Sequence, residues 1–462
     1  MNWILLILTT LAATELLLAL PVIANFKGAS LTAQKSTRLI AKKGVSDHWK
    51  ELVLPRYARA LGTHSILGLV FLILALTPFA LFALLKSGPL SADIAFLSRL
   101  PVIAVMLACS LGYLWLRTRL RKTDSGGSAY SPMDKILHQL ALGNGAVPDM
   151  THDLDKAQNL KSSPPFEGSK PVFVCGLARA GTTVILRELY GSGQFSTLTY
   201  RDMPFVMAPN VWSKLSGNRS MATSERAHGD GIEVGLESPE ALDEVYWRVM
   251  DGEAYIKPDH LLPHAPDAET IQGYADYARL IMKRGKAPRY LSKNNNTILR
   301  IPALAKAFSD ATFLVPVRDP LQHSLSLLSQ HKRFSDSDAF TQKYMTWLAH
   351  HEFGATHRPF RFSPEPATGD PETLDYWLKL WIAAHTHLMG VQEAFPDQVL
   401  FISNEALGQD TDTWQRLCDR LGLEDAKALA ELRSIPPRET SGYDPDLAKE
   451  AAALYARLPQ FS

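Results

Sequence analysis

The chain predicts an α/β fold, a mostly parallel sheet flanked by helices, preceded by an N-terminal transmembrane helical region. Three observations carry that expectation. From Lys170 onward short apolar runs alternate with helical patterns, which is how a parallel sheet with crossover helices reads. The stretch Lys170–Tyr190, KPVFVCGLARAGTTVILRELY, places a glycine-bounded loop between a strand and a helix. Ahead of both, the first 122 residues hold long apolar runs and an excess of basic side chains.

At 462 residues the chain has room for two or three domains, and its formal net charge is +1. That neutrality hides an asymmetry. Through Asp124 there are 14 Lys/Arg against 5 Asp/Glu, a surplus of nine, so the remainder carries −8. A basic, apolar head on an acidic body argues for a bilayer partner and against nucleic acid. The three cysteines, Cys109, Cys175 and Cys418, are far apart. They give neither a disulfide framework nor a zinc pattern, and point to a reducing compartment.

The apolar runs fall at residues 3–26, 65–85 and 95–116. Ser65–Leu85 has no formal charge and is long enough to cross a bilayer core as a helix. The other two are interrupted by Glu15 and Arg99 respectively. Lys27–Thr63 carries eight Lys/Arg, and Arg117, Arg119, Arg121 and Lys122 follow the last run. With positive loops held inside, these place the N-terminus outside and everything after Lys122 in the cytosol, as in a multi-pass inner-membrane protein. The expected division is an anchor over 1–122, a Ser/Gly/Pro-containing linker over 123–168 with a helix at Met133–Leu142, and an α/β domain over 169–462.

Within that last part, Pro171–Cys175 reads as a buried strand, and the loop Gly176–Gly181 runs into a helix at Thr182. Backbone N–H groups and a helix N-terminus in this order hold anions. The G-x-x-x-x-G spacing is that of a phosphate-binding P-loop, but Thr182 and Thr183 stand where an ATPase has Lys and Ser/Thr. The one cation in the loop is Arg179. Further helices are expected at Ser238–Arg248, Ile271–Arg284, Leu299–Phe308, Leu374–Ala394 and Thr413–Leu421. Strands are expected to end at Ser292 and to cover Ala311–Val317 and Gln398–Ser403, with Pro316 a weak point in the second.

The second informative stretch is Thr312–Gln330, TFLVPVRDPLQHSLSLLSQ. A strand ends at Arg318, Asp319 sits where an N-cap belongs, and Pro320 where a first helical residue belongs. Arg318 thus emerges at the carboxyl edge of the sheet, where open α/β folds bind ligands. Ser326 lies eight residues on, a little over two helical turns, on a similar face.

Taken together, the GLARAGTT loop, the V-R-D-P corner and the serine eight residues after its arginine resemble the sulfotransferases that use 3′-phosphoadenosine 5′-phosphosulfate, in their bacterial membrane-anchored branch. The resemblance covers roughly Pro171–Leu423. It implies that Arg179, Ala180, Gly181, Thr182 and Thr183 hold the 5′-phosphosulfate, and that Arg318 and Ser326 hold the 3′-phosphate. It also implies that Lys293, in YLSKNNN, brings charge close to the transferring sulfonate. The reaction implied is sulfonate transfer to a hydroxyl of a small-molecule, lipid or glycan acceptor, with no metal. The family's base is a Glu or His on the stretch after the loop helix, where this chain has Thr199. Asp202 and His228 are the two substitutes, with Glu233, Glu237 and Glu244 behind them.

Two other readings stay open at this level. A P-loop phosphotransferase or hydrolase would need a loop lysine and a strand ending in a Mg²⁺-binding Asp. A non-catalytic membrane scaffold with a degenerate nucleotide pocket would need neither. The sequons Asn218–Ser220 and Asn295–Thr297 would permit a lumenal location, against which the cysteine usage and the basic loops argue.

Overall fold

The structure is a computed structural model. It describes the chain except residues 1, 42–46, 87–96, 98, 121–131, 144, 217–223, 226–232, 364–368, 410, 424–437 and 462. The chain divides into two compact units, Met1–Ser125 and Gly126–Ser462.

The first unit is helical: Asn2–Ala19, Val22–Ala41, Asp47–Lys86 and Leu100–Leu120. Among the described residues one stretch, Leu54–Leu81, is long and apolar enough to cross a membrane. Trp3–Ala19 and Ala24–Ser30 meet that test only jointly and are bent by 48° at their junction, while Pro101–Leu114 is apolar but shorter. Among the described residues, the three spans read from sequence therefore reduce to one helix that qualifies alone. Much of the basic stretch after residue 26 is helix rather than loop. Glu15, which interrupts the first run, accepts a 2.6 Å hydrogen bond from the Tyr113 hydroxyl, and Thr14 Oγ1 lies 3.0 Å from Ser110 Oγ. Polar groups on apolar helices are matched to each other in this way because an unpartnered one is costly.

The second unit is built on a five-stranded sheet. Its strands are β1 (Val172–Val174), β2 (Phe195–Ser196), β5 (Arg289–Lys293), β6 (Thr312–Val317) and β7 (Val399–Ser403), in the order β2-β5-β1-β6-β7. Every pairing is parallel. A separate antiparallel pair, β3 (Ser224–Glu225) and β4 (Glu233–Val234), lies outside it. Alternation along the strands sorts the core. Phe173, Tyr290, Phe313, Val315 and Phe401 join one buried cluster, with Tyr274, Tyr277, Trp377 and Trp381 from helices Ala268–Gly285 and Leu374–Ala394. Val172, Val174, Leu291, Leu314 and Ile402 join the other, with Ile185, Leu186 and Leu189 of helix Thr182–Gly191 and Leu417 of helix Thr411–Leu421. A parallel sheet covered on both faces reads as apolar throughout, which is why these strands are legible.

Three departures from the sequence reading have local causes. The stretch 123–168, read as a linker, contains helices Pro132–Leu142 and Ala146–Asn159. The fully buried Asp155 accepts from the backbone N–H of Asn210 (2.9 Å), so the second helix is part of the folded body. The helix expected at Ser238–Arg248 begins only at Glu244, because Pro239 bridges to Thr199 and holds the preceding residues extended. Pro316 sits inside β6 without disrupting it. Thr312 N–H and the Leu314 carbonyl bond toward β1, so the nitrogen of residue 316 faces that same side. There β1 has already ended at Val174, and the missing N–H has no ladder partner to deprive.

Candidate active site

The loop Gly176–Gly181 joins β1 to helix Thr182–Gly191 at the carboxyl edge of the sheet. Its path requires left-handed backbone at three points: Gly176 (φ 127°), Arg179 (φ 69°) and Gly181 (φ 93°). Glycine takes these values freely; arginine does so at a cost, of a kind that collects at functional sites. A side chain at Gly181 would also meet the Asn404 amide nitrogen at 2.2 Å. That amide, just past β7, donates to the Ala180 carbonyl (3.1 Å).

A second loop carbonyl is held from below. Trp381 Nε1–H donates to His323 Nδ1 (3.2 Å), which leaves Nε2–H of the same ring to donate to the Ala178 carbonyl (2.8 Å). Burial pushes the His323 pKa down to about 3, so the ring is neutral and the tautomer fixed. Carbonyls tied to protein donors do not turn toward a bound anion, which they would repel. Neither Asn404 nor His323 has a motif signature. Their roles depend on helix and strand ends meeting in space.

The arginine–aspartate–proline corner stands beside the loop. Asp319 caps helix Pro320–Ser335, its Oδ1 accepting from Gln322 N–H (2.9 Å), with Pro320 as first helical residue. The Asp319 N–H donates to Glu405 Oε1 (2.9 Å), and Glu405 Oε2 accepts from the Tyr455 hydroxyl (3.0 Å). Glu405 therefore ties the ends of β6 and β7 to the C-terminal helix Pro445–Arg457. Arg318 is half-buried. Burial pushes its pKa below the ordinary arginine range; Glu405 pulls it back, and the neighbouring charge of Arg438 adds to the depression. Two cations at a partly desolvated sheet edge are an arrangement that an anion relieves. Arg438 is fixed by a reciprocal pair: Gln322 Nε2 donates to its carbonyl (2.9 Å), and its N–H donates to Gln322 Oε1 (2.8 Å).

The two sequence motifs meet directly. Arg179 Nε donates to Ser326 Oγ at 3.3 Å. Thr182 and Thr183 are buried in the first turn of the loop helix, where N–H groups and the positive dipole end gather. Lys293 ends β5, pairs in register with Val174 of β1 and is 9 % exposed. Arg179, Ala180, Gly181, Thr182, Thr183, Lys293, Arg318 and Ser326 thus share one sheet edge.

The base candidates are not brought there in the same way. His228 lies outside the described residues. Asp202 is 3 % exposed; its Oδ2 accepts from Thr199 N–H (2.9 Å) and Thr199 Oγ1 (3.1 Å) in a capping box, and its Oδ1 is 3.3 Å from Arg284 Nε. Burial raises its pKa, against the pull of Arg284. These contacts make Asp202 the capping-box partner of Thr199, the N-cap of the short turn Tyr200–Asp202. Glu237 is paired with Arg201. Glu244 is buried against Arg300, with bonds of 2.8 Å to both of its oxygens, and also accepts from Asn294 (2.6 Å) and from the Tyr255 hydroxyl. Asn295 is buried with its amide donating to Glu352 Oε1 (2.8 Å), so the second sequon is not displayed for a glycan.

A glycine-turned loop at the head of a helix, beside an arginine corner on the neighbouring strand, defines an α/β protein with a basic sheet edge. The description that matches it is the sulfotransferase family, whose model aligns with residues 171–427. That is more than half of the chain, and the chain belongs to this family: it is a sulfotransferase. Solved structures similar to it include sulfotransferase STF1 from Mycobacterium tuberculosis H37Rv, at 12% identity over 69% of this chain and 84% of that one, with a TM-score of 0.42. Sulfotransferase STF9 from Mycobacterium avium is 13% identical over 72% and 80%, with a TM-score of 0.37. A sulfotransferase from Alicyclobacillus acidocaldarius is 16% identical over 62% and 91%, with a TM-score of 0.30. These likenesses are loose, and the family rests on the family model. No curated protein matches the chain.

Proposed function

We propose that the chain transfers a sulfonate group from 3′-phosphoadenosine 5′-phosphosulfate to an acceptor hydroxyl, a lipid or glycan alcohol at the membrane being the class its first unit favours. The observation that carries this reading is the 3.3 Å contact between Arg179 and Ser326. It joins the glycine loop to the helix that follows the Arg318 corner, which supports a single basic edge for a nucleotide charged at both ends. In this reading Arg179, with the backbone of Ala180, Gly181, Thr182 and Thr183, holds the 5′-phosphosulfate, and Arg318 and Ser326 hold the 3′-phosphate. Lys293 stands near the transferring group. The planar, permanently charged arginine fork suits these oxygens, and fixed cations stabilise charge that grows on the leaving phosphate.

Membrane attachment is supported by Leu54–Leu81, whose side chains include Ile66, Leu69 and Ile73 at 64%, 54% and 57% exposure. Arg117, Arg119, Arg121 and Lys122 favour a cytoplasmic position for the catalytic unit. A hydrolase reading has little support: the strand that would end in a metal-binding Asp delivers Arg318 first.

Calorimetric titration of the purified full chain tests the donor assignment. Binding of 3′,5′-bisphosphoadenosine without added metal, at least tenfold tighter than ATP, is the expected result. Mg²⁺-dependent preference for ATP would replace the proposal with the hydrolase reading.

A further inference from the structure

Arg318 stands unpaired beside a carboxylate. Its guanidinium makes no hydrogen bond or ion pair among the described residues, although the charge of Glu405 acts on it more than that of Arg438 or Asp319. The two Glu405 oxygens are committed elsewhere. Oε1 accepts from the backbone N–H of Asp319 (2.9 Å), and Oε2 accepts from the Tyr455 hydroxyl (3.0 Å) and, at 3.4 Å, from Ser403 Oγ. Neutral donors thus hold a carboxylate next to a half-buried cation. At such an edge opposite charges attract more than they do in water, so the arrangement lasts only while the donors keep their grip.

Tyr455 reaches Glu405 from the C-terminal helix Pro445–Arg457, which is docked at both ends and in the middle. Asp444 caps it, accepting from Asp446 N–H (2.9 Å), and Asp444 N–H donates to Asp375 Oδ1 (2.8 Å). Ala451 and Leu454 are buried in the larger core cluster, and Tyr455 packs against that cluster with its ring 6.3 Å from Trp381. Past the helix, Phe461 N–H donates to the Phe401 carbonyl of β7 (2.7 Å). Burial, with the charge of Glu405 behind it, raises the Tyr455 pKa to about 12, so the phenol remains a neutral O–H donor.

We propose that Tyr455 is a positioning residue for the nucleotide edge: its hydroxyl holds the Glu405 carboxylate off Arg318, so that the guanidinium stays open to an anionic ligand. The inference rests on the donor reading above and deepens it, since it gives the reason Arg318 is free for a 3′-phosphate. Without the hydroxyl, Glu405 Oε2 loses its better donor and turns to the cation beside it. An incoming phosphate must then displace a carboxylate before it can bind. Glu405 becomes a competitor in that state, and neutralising it removes the competition. The C-terminal helix therefore acts on the nucleotide corner through one hydrogen bond, without touching the nucleotide.

The test is calorimetric titration of the full chain in detergent with 3′,5′-bisphosphoadenosine and with 5′-AMP. Tyr455→Phe removes one oxygen and keeps the ring's packing. It should weaken the bisphosphate about tenfold and leave 5′-AMP within about twofold of wild type. Adding Glu405→Gln to Tyr455→Phe should recover about fivefold or more of the lost affinity. That recovery is the readout a structural role would not give, because a second lesion in a damaged network makes binding weaker still. A double variant no better than Tyr455→Phe, or equal losses for both nucleotides, would overturn the proposal. If the wild type does not bind the bisphosphate, the donor reading has failed, and the latch is judged from a crystal structure of Tyr455→Phe. A Glu405 oxygen within about 4 Å of an Arg318 nitrogen supports it, and a carboxylate that has not moved rejects it.

Discussion

Arg179 and Ser326, 147 positions apart, are joined by a 3.3 Å hydrogen bond between Nε and Oγ. The contact brings the glycine loop after β1 and the helix after β6 to one edge. Arg179 reaches it from a left-handed backbone conformation (φ 69°).

Charge and shape at Arg179 are separable. Arg179→Ala should weaken 3′,5′-bisphosphoadenosine binding by about a hundredfold, since a hydrogen bond to a charged group contributes about 1.5–3 kcal/mol. Arg179→Lys should recover only part of this, because an ammonium keeps the charge but loses the fork. Equal affinities for wild type and Arg179→Lys, by calorimetry, would show that the loop uses charge alone.

Arg318 should discriminate nucleotides rather than simply hold them. In the wild type, 3′,5′-bisphosphoadenosine should bind far more tightly than 5′-AMP. Arg318→Ala should reduce that ratio by at least tenfold while changing 5′-AMP affinity little. A ratio that survives the substitution would remove Arg318 from the 3′-phosphate.

Gly181→Ala places a methyl group on a backbone at φ 93°, where a Cβ lies 2.2 Å from Asn404 Nδ2. The left-handed conformation alone costs about 1–2 kcal/mol, and Asn404 must release the Ala180 carbonyl to make room. Thermal unfolding should shift down by several degrees and nucleotide affinity should fall with it. A stable variant with unchanged binding would mean that the loop relaxes without penalty.

The buried pair Glu244–Arg300, 1% and 0% exposed at the side chain, gives a pH-dependent term. Burial works against the Glu244 carboxylate, but Arg300, Tyr255 and Asn294 together hold its pKa below the ordinary 4.5. Its proton is bound more weakly folded than unfolded, so its stabilisation is complete above about pH 4.5 and fades as pH falls through the lower folded value. Glu244→Gln strands Arg300 and should cost about 3–5 kcal/mol at pH 7. The gap between wild-type and variant urea midpoints should narrow below pH 4.5. A gap independent of pH would show that shape, not charge, is what Glu244 contributes.

The loop, the Arg318 corner and the place of Ser326 on the following helix were legible as sequence, because tight turns, caps and buried parallel strands demand particular residues at fixed short spacings, whereas Lys293 was picked out by the family resemblance alone. Also legible were the apolar run at 65–85, which overlaps the apolar helical stretch Leu54–Leu81, and helix Leu374–Ala394. Other features were decided only in three dimensions. Asn404 and His323 owe their positions to chain segments that meet at one sheet edge from more than fifty residues away, and no spacing along the chain encodes that. Asp202 looked available for chemistry until Thr199 and Arg284 enclosed it, and Pro316 was harmless because its neighbour strand ended two residues early. Local backbone preferences write themselves into sequence; which side chains become partners depends on packing, and that is settled only when distant elements close over a common core.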